Sequence, residues 1–128
     1  MRDPAVWIVS SQQWPRAMLR AELIERGLDA VGFIECSNAV RALRNPLRRR
    51  PALIVLELKE ARYEREEVEQ LQAAAPVILL GGAAELSGSL VAELPWAAVL
   101  KRPVTLGAVA DEVERILETG PPEQVIEP

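Results

Sequence analysis

Histidine is missing from the chain altogether. That excludes Ser-His-Asp and Cys-His nucleophilic catalysis, zinc sites built on imidazole, and histidine phosphotransfer on this chain. Cysteine is nearly as scarce. Cys36 stands alone, so an internal disulfide is ruled out and a reducing cytoplasm is the expected compartment. No apolar run approaches the ~20 residues of a membrane span, so no membrane partner is expected. The opening MRDPAVWIVSS lacks the basic flank, long apolar stretch and small-residue cleavage site of a secretion signal. Aspartate is also rare. Of 19 acidic residues only Asp3, Asp29 and Asp111 are aspartates, a scarcity that bears on function below.

What is present suffices for one domain. The chain has 128 residues, and 49% of them are apolar, enough to close a core at this size. Charge is divided along it. Residues 1–50 carry nine arginines against five acids, a net of +4, whereas residues 51–128 carry six basic residues against fourteen acids, a net of −8. The total of −4 argues against general nucleic-acid binding. The local cluster Arg41, Arg44, Arg48, Arg49 and Arg50 reads as a solvated helix end, where cations are favourable.

Five short apolar runs alternate with amphipathic stretches. They are Val6–Val9, Val31–Ile34, Leu53–Leu56, Val77–Leu80 and Ala97–Leu100. The first, third and fourth are apolar without alternation, as central strands of a parallel sheet covered on both faces are. The second and fifth are weaker and read as edge strands. Between them, Ser11 is expected to cap a helix beginning near Pro15 and ending at Gly27, with an apolar stripe that includes Met18, Leu19, Leu23 and Ile24. Ser37 is expected to cap a second helix stopped by Asn45-Pro46. A third helix spans about 62–73 with Val68 and Leu71 inward. A fourth spans about 84–94, interrupted at Ser87-Gly88. Thr105 caps the last, whose stripe is Leu106, Val109, Val113, Ile116 and Leu117 and whose end is Gly120.

This alternation predicts a doubly wound α/β domain over 4–119, with 120–128 as a tail or linker. Its sheet is parallel and five-stranded, in the order 2-1-3-4-5. In such folds the functional crevice lies beyond the carboxyl ends of the strands. The residues there are Ser10 and Ser11, Glu57, Gly81 and Gly82, and Lys101-Arg102-Pro103.

The stretches VWIVSSQ, PALIVLELKE, APVILLGG and AVLKRPVTLGAVADEVERIL resemble the receiver domain of response regulators, the chemotaxis-type (βα)5 family, over nearly the whole chain. The basic residue before proline at Arg102-Pro103 is the most specific feature. The resemblance implies two-component signalling in a bacterial cytoplasm. At the positions of the family's chemistry the residues differ. Two Mg²⁺-binding acids are replaced by Ser10 and Ser11, the phosphoacceptor aspartate by Glu57, a Thr or Ser by Gly81, a lysine by Arg102, and a switch aromatic by Val99. Ala61 stands near a position where the family has proline.

Mg²⁺ requires hard anionic oxygens in near-octahedral geometry, and two serines supply no charge. Without the metal, phosphoryl transfer loses its charge stabilisation. None of the three aspartates lies at a strand end, so a shifted alignment restores no acceptor. The expectation is a pseudo-receiver: no enzyme, no cofactor, Mg²⁺ binding lost, a vestigial site of Glu57, Ser10, Ser11, Gly81 and Arg102, and action through a protein partner or output domain. Glu57 is expected to pair with Arg102, since a buried carboxylate needs a partner. A bidentate pair imitating a phosphorylated aspartate is the alternative role, weakened by Glu carrying less charge and fewer acceptors than a phosphoryl group.

The family's usual contact face places Leu90, Leu94, Trp96 and Val99 as partner or homodimer contacts, with exposed Trp96 as anchor. Trp7 reads as core, Trp14 as a staple at the first helix, and Cys36 as a half-buried thiol ending the second strand. A second functional class also stays open: a flavodoxin-like binder of a small ligand, using the strand-end crevice and Gly81-Gly82 as an anion cradle. A tight turn is the plainer reading of those glycines.

Overall fold

A computed structural model of the chain describes residues 3–59 and 63–120. Ala61 and residues 121–128 of the expected tail lie outside them. Five parallel strands, β1 (Ala5–Val9), β2 (Asp29–Phe33), β3 (Leu53–Leu58), β4 (Val77–Gly81) and β5 (Ala98–Lys101), form one sheet in the order β2-β1-β3-β4-β5. The helices are α1 (Gln13–Glu25), α2 (Cys36–Leu43), α3 (Arg65–Ala74), the short pair α4 (Ala83–Leu86) and α5 (Ser89–Glu93), and α6 (Leu106–Thr119). This is the doubly wound fold that the sequence predicts.

Unalternating strands sit where both faces are covered. Every residue of β1, β3 and β4 is buried, whereas β2 and β5, at the edges, are only partly so. Because side chains alternate across a strand, one sheet sorts its residues into two cores. Trp7, Val9, Ile54, Leu56 and Leu79 pack with Val68 and Leu71 of α3 and Ala39 and Val40 of α2. Val6, Ile8, Val55, Ile78 and Leu80 pack with Leu19 and Leu23 of α1 and Val109, Val113 and Ile116 of α6. Ser10 and Glu57 follow this second alternation and so open toward the α1–α6 side.

Several local expectations are corrected. Gln12, not Ser11, is the N-cap of α1. The Ser10 hydroxyl already accepts the Gln12 N–H at 3.1 Å, and Ser11 instead donates to the Lys59 carbonyl at 3.3 Å. Glu35, not Ser37, precedes α2, where Asn38 Oδ1 accepts the Glu35 N–H at 3.2 Å. Cys36 is the first residue of α2 and is fully buried rather than half-buried. Of the stripe assigned to α1, only Leu19 and Leu23 reach the core, while Met18 and Ile24 face outward. Trp14 is 74% exposed and staples nothing. Thr105 caps α6 as expected, accepting the Ala108 N–H at 3.0 Å, and Gly120 ends it at φ 81°.

Candidate functional site

The carboxyl ends of β1, β3 and β4 and the residue after β5 bring Ser10, Glu57, Gly81 and Arg102 together. Glu57 is buried, and both of its carboxylate oxygens are used. Oε1 accepts the Ser10 hydroxyl at 2.5 Å, and Oε2 accepts Arg102 Nη1 at 3.1 Å. The backbone around it is held as well, with the Tyr63 hydroxyl donating to the Glu57 carbonyl at 2.6 Å. Burial, and then the nearby charges of Cys36 and Glu57, push the Tyr63 phenol upward, so it stays a protonated donor.

The expected Glu57–Arg102 pair is present, but it is not bidentate. The guanidinium divides itself: Nη1 goes to Glu57, while Nη2 donates to the Leu58 carbonyl at 3.0 Å and to Glu85. Glu85 in turn accepts the Gly82 N–H at 2.7 Å. Arg102 therefore ties the end of β3 to the start of α4. The Arg102–Pro103 peptide bond is cis.

Glu85 was not singled out from the sequence, although its place three residues after Gly82 is the spacing of a capping box. Tyr63 carried no such signal. Arg16 also belongs here, donating to the Ser10 carbonyl at 2.7 Å.

The two glycines are turn residues that admit α4 closely, as the plainer reading has it. A Cβ at Gly81 would stand 3.1 Å from Leu86 Cδ2, so Leu86 fills the space of any hydroxyl side chain there. A Cβ at Gly82 would stand 3.0 Å from Glu85 Oε1. The Gly82 N–H is taken by that carboxylate, which leaves no open anion cradle. A cavity of about 200 Å³ does lie nearby, between α1 and α6, bordered by Ser10, Arg16, Glu57, Lys59 and Arg102. It excludes Gly81 and Gly82 and is smaller than the ~300–1,000 Å³ of small-molecule pockets.

The donor set is a poor match for Mg²⁺. Two neutral hydroxyls and one carboxylate already bound to a guanidinium stand where hard, free anionic oxygens are needed. Among the described residues no group of three or more His, Cys, Asp or Glu side chains could hold a metal ion.

Within the expected contact face, the structure corrects the exposure expected of Trp96, which is half-buried against the core. Leu94 is buried, Leu90 and Trp96 pack on the core, and the Trp96 indole N–H donates to the Val91 carbonyl at 2.9 Å. Val99 alone of the four is exposed. Four of the five arginines of the cluster are engaged within the chain. Arg49 pairs with Asp29 at 3.1 Å, Arg44 bonds Gln70, Arg50 bonds the Leu43 carbonyl, and Arg48 lies 5.5 Å over the Phe33 ring. No helix among the described residues is long and apolar enough to cross a membrane.

No protein-family model and no curated protein matches the chain. Solved structures do, and they define its fold as that of response-regulator receiver domains. A CheY-like response regulator receiver domain protein from Methanospirillum hungatei superposes with a TM-score of 0.77 at 15% identity, covering 92% of this chain and 96% of its own. A response regulator receiver protein from Pseudomonas putida gives 0.74 at 23% identity, covering 90% and 98%. A response regulator receiver domain protein from Clostridium thermocellum gives 0.73 at 12%, covering 90% and 94%.

Proposed function

We propose that the chain is a receiver-like domain of two-component-type signalling that has given up phosphoryl transfer and works through protein contact, with no enzymatic activity. The observation that carries this reading is the occupied carboxylate of Glu57. At the position matching the family's phosphoacceptor, one oxygen is held by Ser10 and the other by Arg102. Mg²⁺ is not retained and no other cofactor is needed, because the donors at the strand ends are neutral or already paired. The bacterial cytoplasm, and a protein partner or output domain rather than nucleic acid or membrane, follow from the resemblance, the single cysteine and the net acidic charge.

Glu57 is a structural anchor in this reading rather than a permanent imitation of a phosphorylated state. A signal would have to pass through position 81, which has no side chain, and position 99, which carries an exposed valine.

The test is titration with millimolar Mg²⁺, then beryllofluoride, followed by tryptophan fluorescence, with mass spectrometry after incubation with acetyl phosphate. Trp7 on β1 and Trp14 in the first turn of α1 flank Ser10 and Ser11 in sequence and are the reporters. No fluorescence change and no added phosphoryl mass are expected. Saturable quenching that requires both ions, or a phosphorylated product, would overturn the reading.

A further inference from the structure

The cavity between α1 and α6 has an apolar interior and a cationic rim. Its inner wall is made by Ile8, Leu19, Val55, Leu80 and Val109, all buried aliphatic side chains. Three half-buried cations border it, Arg16, Lys59 and Arg102, from three different segments of the chain. Protein interiors hold few voids larger than a water molecule, so about 200 Å³ lined in this way is space that the domain's own side chains leave unfilled.

The charge at the rim is unbalanced. Of the lining side chains only Glu57 is acidic, and Arg102 already holds it. Arg102 is matched again by Glu85. Arg16 and Lys59 pair with no carboxylate among the described residues. Arg16 is also fixed in place. Its Nη1 donates to the Ser10 carbonyl at 2.7 Å, and its stem lies across Gly32 of β2, where a Cβ would stand 3.0 Å from Arg16 Cδ. The glycine gives the guanidinium its path to the strand ends, and pre-organised donors cost less to use in binding.

A ligand that answers this arrangement is anionic at one end and apolar at the other. An aliphatic cavity of ~150 Å³ takes up benzene, so about 200 Å³ accommodates one ring or a short alkyl chain. Inorganic phosphate would meet the cations but set oxygens against Val55 and Leu80, which offer no donor. A carboxylate keeps both acceptors at one end, where a guanidinium fork matches them.

We propose that this cavity binds a small monocarboxylate with a compact apolar body, an aromatic ring or a chain of a few carbons. The body lodges against Leu19, Val55 and Val109, and the carboxylate sits at the rim with Arg16 and Lys59. The site is separate from Gly81 and Gly82, and an input of this kind needs neither Mg²⁺ nor a phosphoryl donor. A ligand of about nine non-hydrogen atoms, such as benzoate, is expected to bind with a dissociation constant of about 0.1–1 mM.

The test is a titration of the full, ¹⁵N-labelled chain with sodium benzoate, at constant ionic strength and without Mg²⁺, followed by amide chemical shifts. Saturable shifts should appear in the segments that line the cavity, around Ser10, Arg16, Lys59 and Val104. Benzyl alcohol has the ring without the charge, and inorganic phosphate the charge without the ring. Each should bind roughly tenfold more weakly or worse. K59M should weaken benzoate by about fivefold or more. V104F, which adds a ring to the cavity from its half-buried border, should abolish binding. The Lys59 side chain bonds nothing among the described residues, so K59M should fold and keeps the test decisive should V104F fail to.

No saturable shift up to about 10 mM benzoate would overturn the proposal. So would equal affinity for benzyl alcohol, which reduces the site to an apolar void, preferential binding of phosphate, or unchanged affinity in K59M. None of these results alters the outcome with acetyl phosphate, so this proposal and the phosphoryl-transfer reading fail independently.

Discussion

Replacing Arg102 with methionine probes the site most directly. The substitution keeps an unbranched side chain and removes the cation, leaving the Glu57 carboxylate with only the Ser10 hydroxyl. Breaking a buried ion pair by deleting one partner costs ~3–5 kcal/mol. Glu57 is almost fully buried, at 6% side-chain exposure, but Arg102 keeps 26%, and solvent screening through that opening lowers the expected cost to about 2–3 kcal/mol. For a chain of this size that corresponds to a fall in melting temperature of roughly 10 °C.

The decisive arm is the double variant E57M/R102M. With the carboxylate gone as well, nothing charged is stranded, and the Ser10 hydroxyl can turn to the Gln12 carbonyl, 3.4 Å away. Stability should return to within about 1 kcal/mol of wild type, because a well-packed apolar replacement of a buried pair is often neutral. E57M alone should cost less than R102M, since the freed guanidinium still reaches water and Glu85. Thermal and urea melts of the four proteins close the cycle. If R102M melts within about 2 °C of wild type, or the double variant loses the sum of the two singles, the ion pair is not what holds the strand ends together.

Two further outcomes follow from the structure. Burial, aided by the charge of Glu67, pushes the Cys36 thiol up to about 12. Unfolded, it ionises near its ordinary ~8.5. Between those values the unfolded state has lost a proton that the folded state keeps, so stability falls as pH rises, by up to ~1.4 kcal/mol per pH unit. Urea melts between about pH 8 and 10 should show C36A to be less sensitive to alkali than wild type, and an unchanged slope would refute the assignment. At the start of α6, T105A should lose about 1 kcal/mol with its cap to the Ala108 N–H, whereas T105S should hold most of it. Equal melts for T105A and wild type would show that the cap contributes nothing.

Much of the architecture was legible because it rests on local chemistry. Central strands that bury both faces must be apolar throughout, and β1, β3 and β4 are. Thr105 and Gly120 mark the ends of α6 by the hydrogen-bonding and backbone rules that govern any helix. The strand-end positions Ser10, Glu57, Gly81 and Arg102 were legible for the same reason: topology alone places the ends of neighbouring parallel strands together. The absence of histidine and the placing of the three aspartates needed no structure at all.

What the sequence could not decide was the competition among partners distant along the chain. The guanidinium of Arg102 had one visible carboxylate, Glu57. Folding brought a second, Glu85, and the Leu58 carbonyl, and so turned the expected simple pair into a three-way tie. The inner and outer sides of α1 were blurred in the same way. Met18, Leu19, Leu23 and Ile24 are equally apolar as letters, and only the direction of the sheet beneath the helix sends Leu19 and Leu23 inward and leaves Met18 beside Trp14 in the open. Trp96 and Leu94 were drawn the other way, because a sheet edge covered by two one-turn helices lets those side chains fold down onto the core. Composition and periodicity state which residues want burial, but there is not room in one core for all of them, and the geometry of packing decides which are left outside.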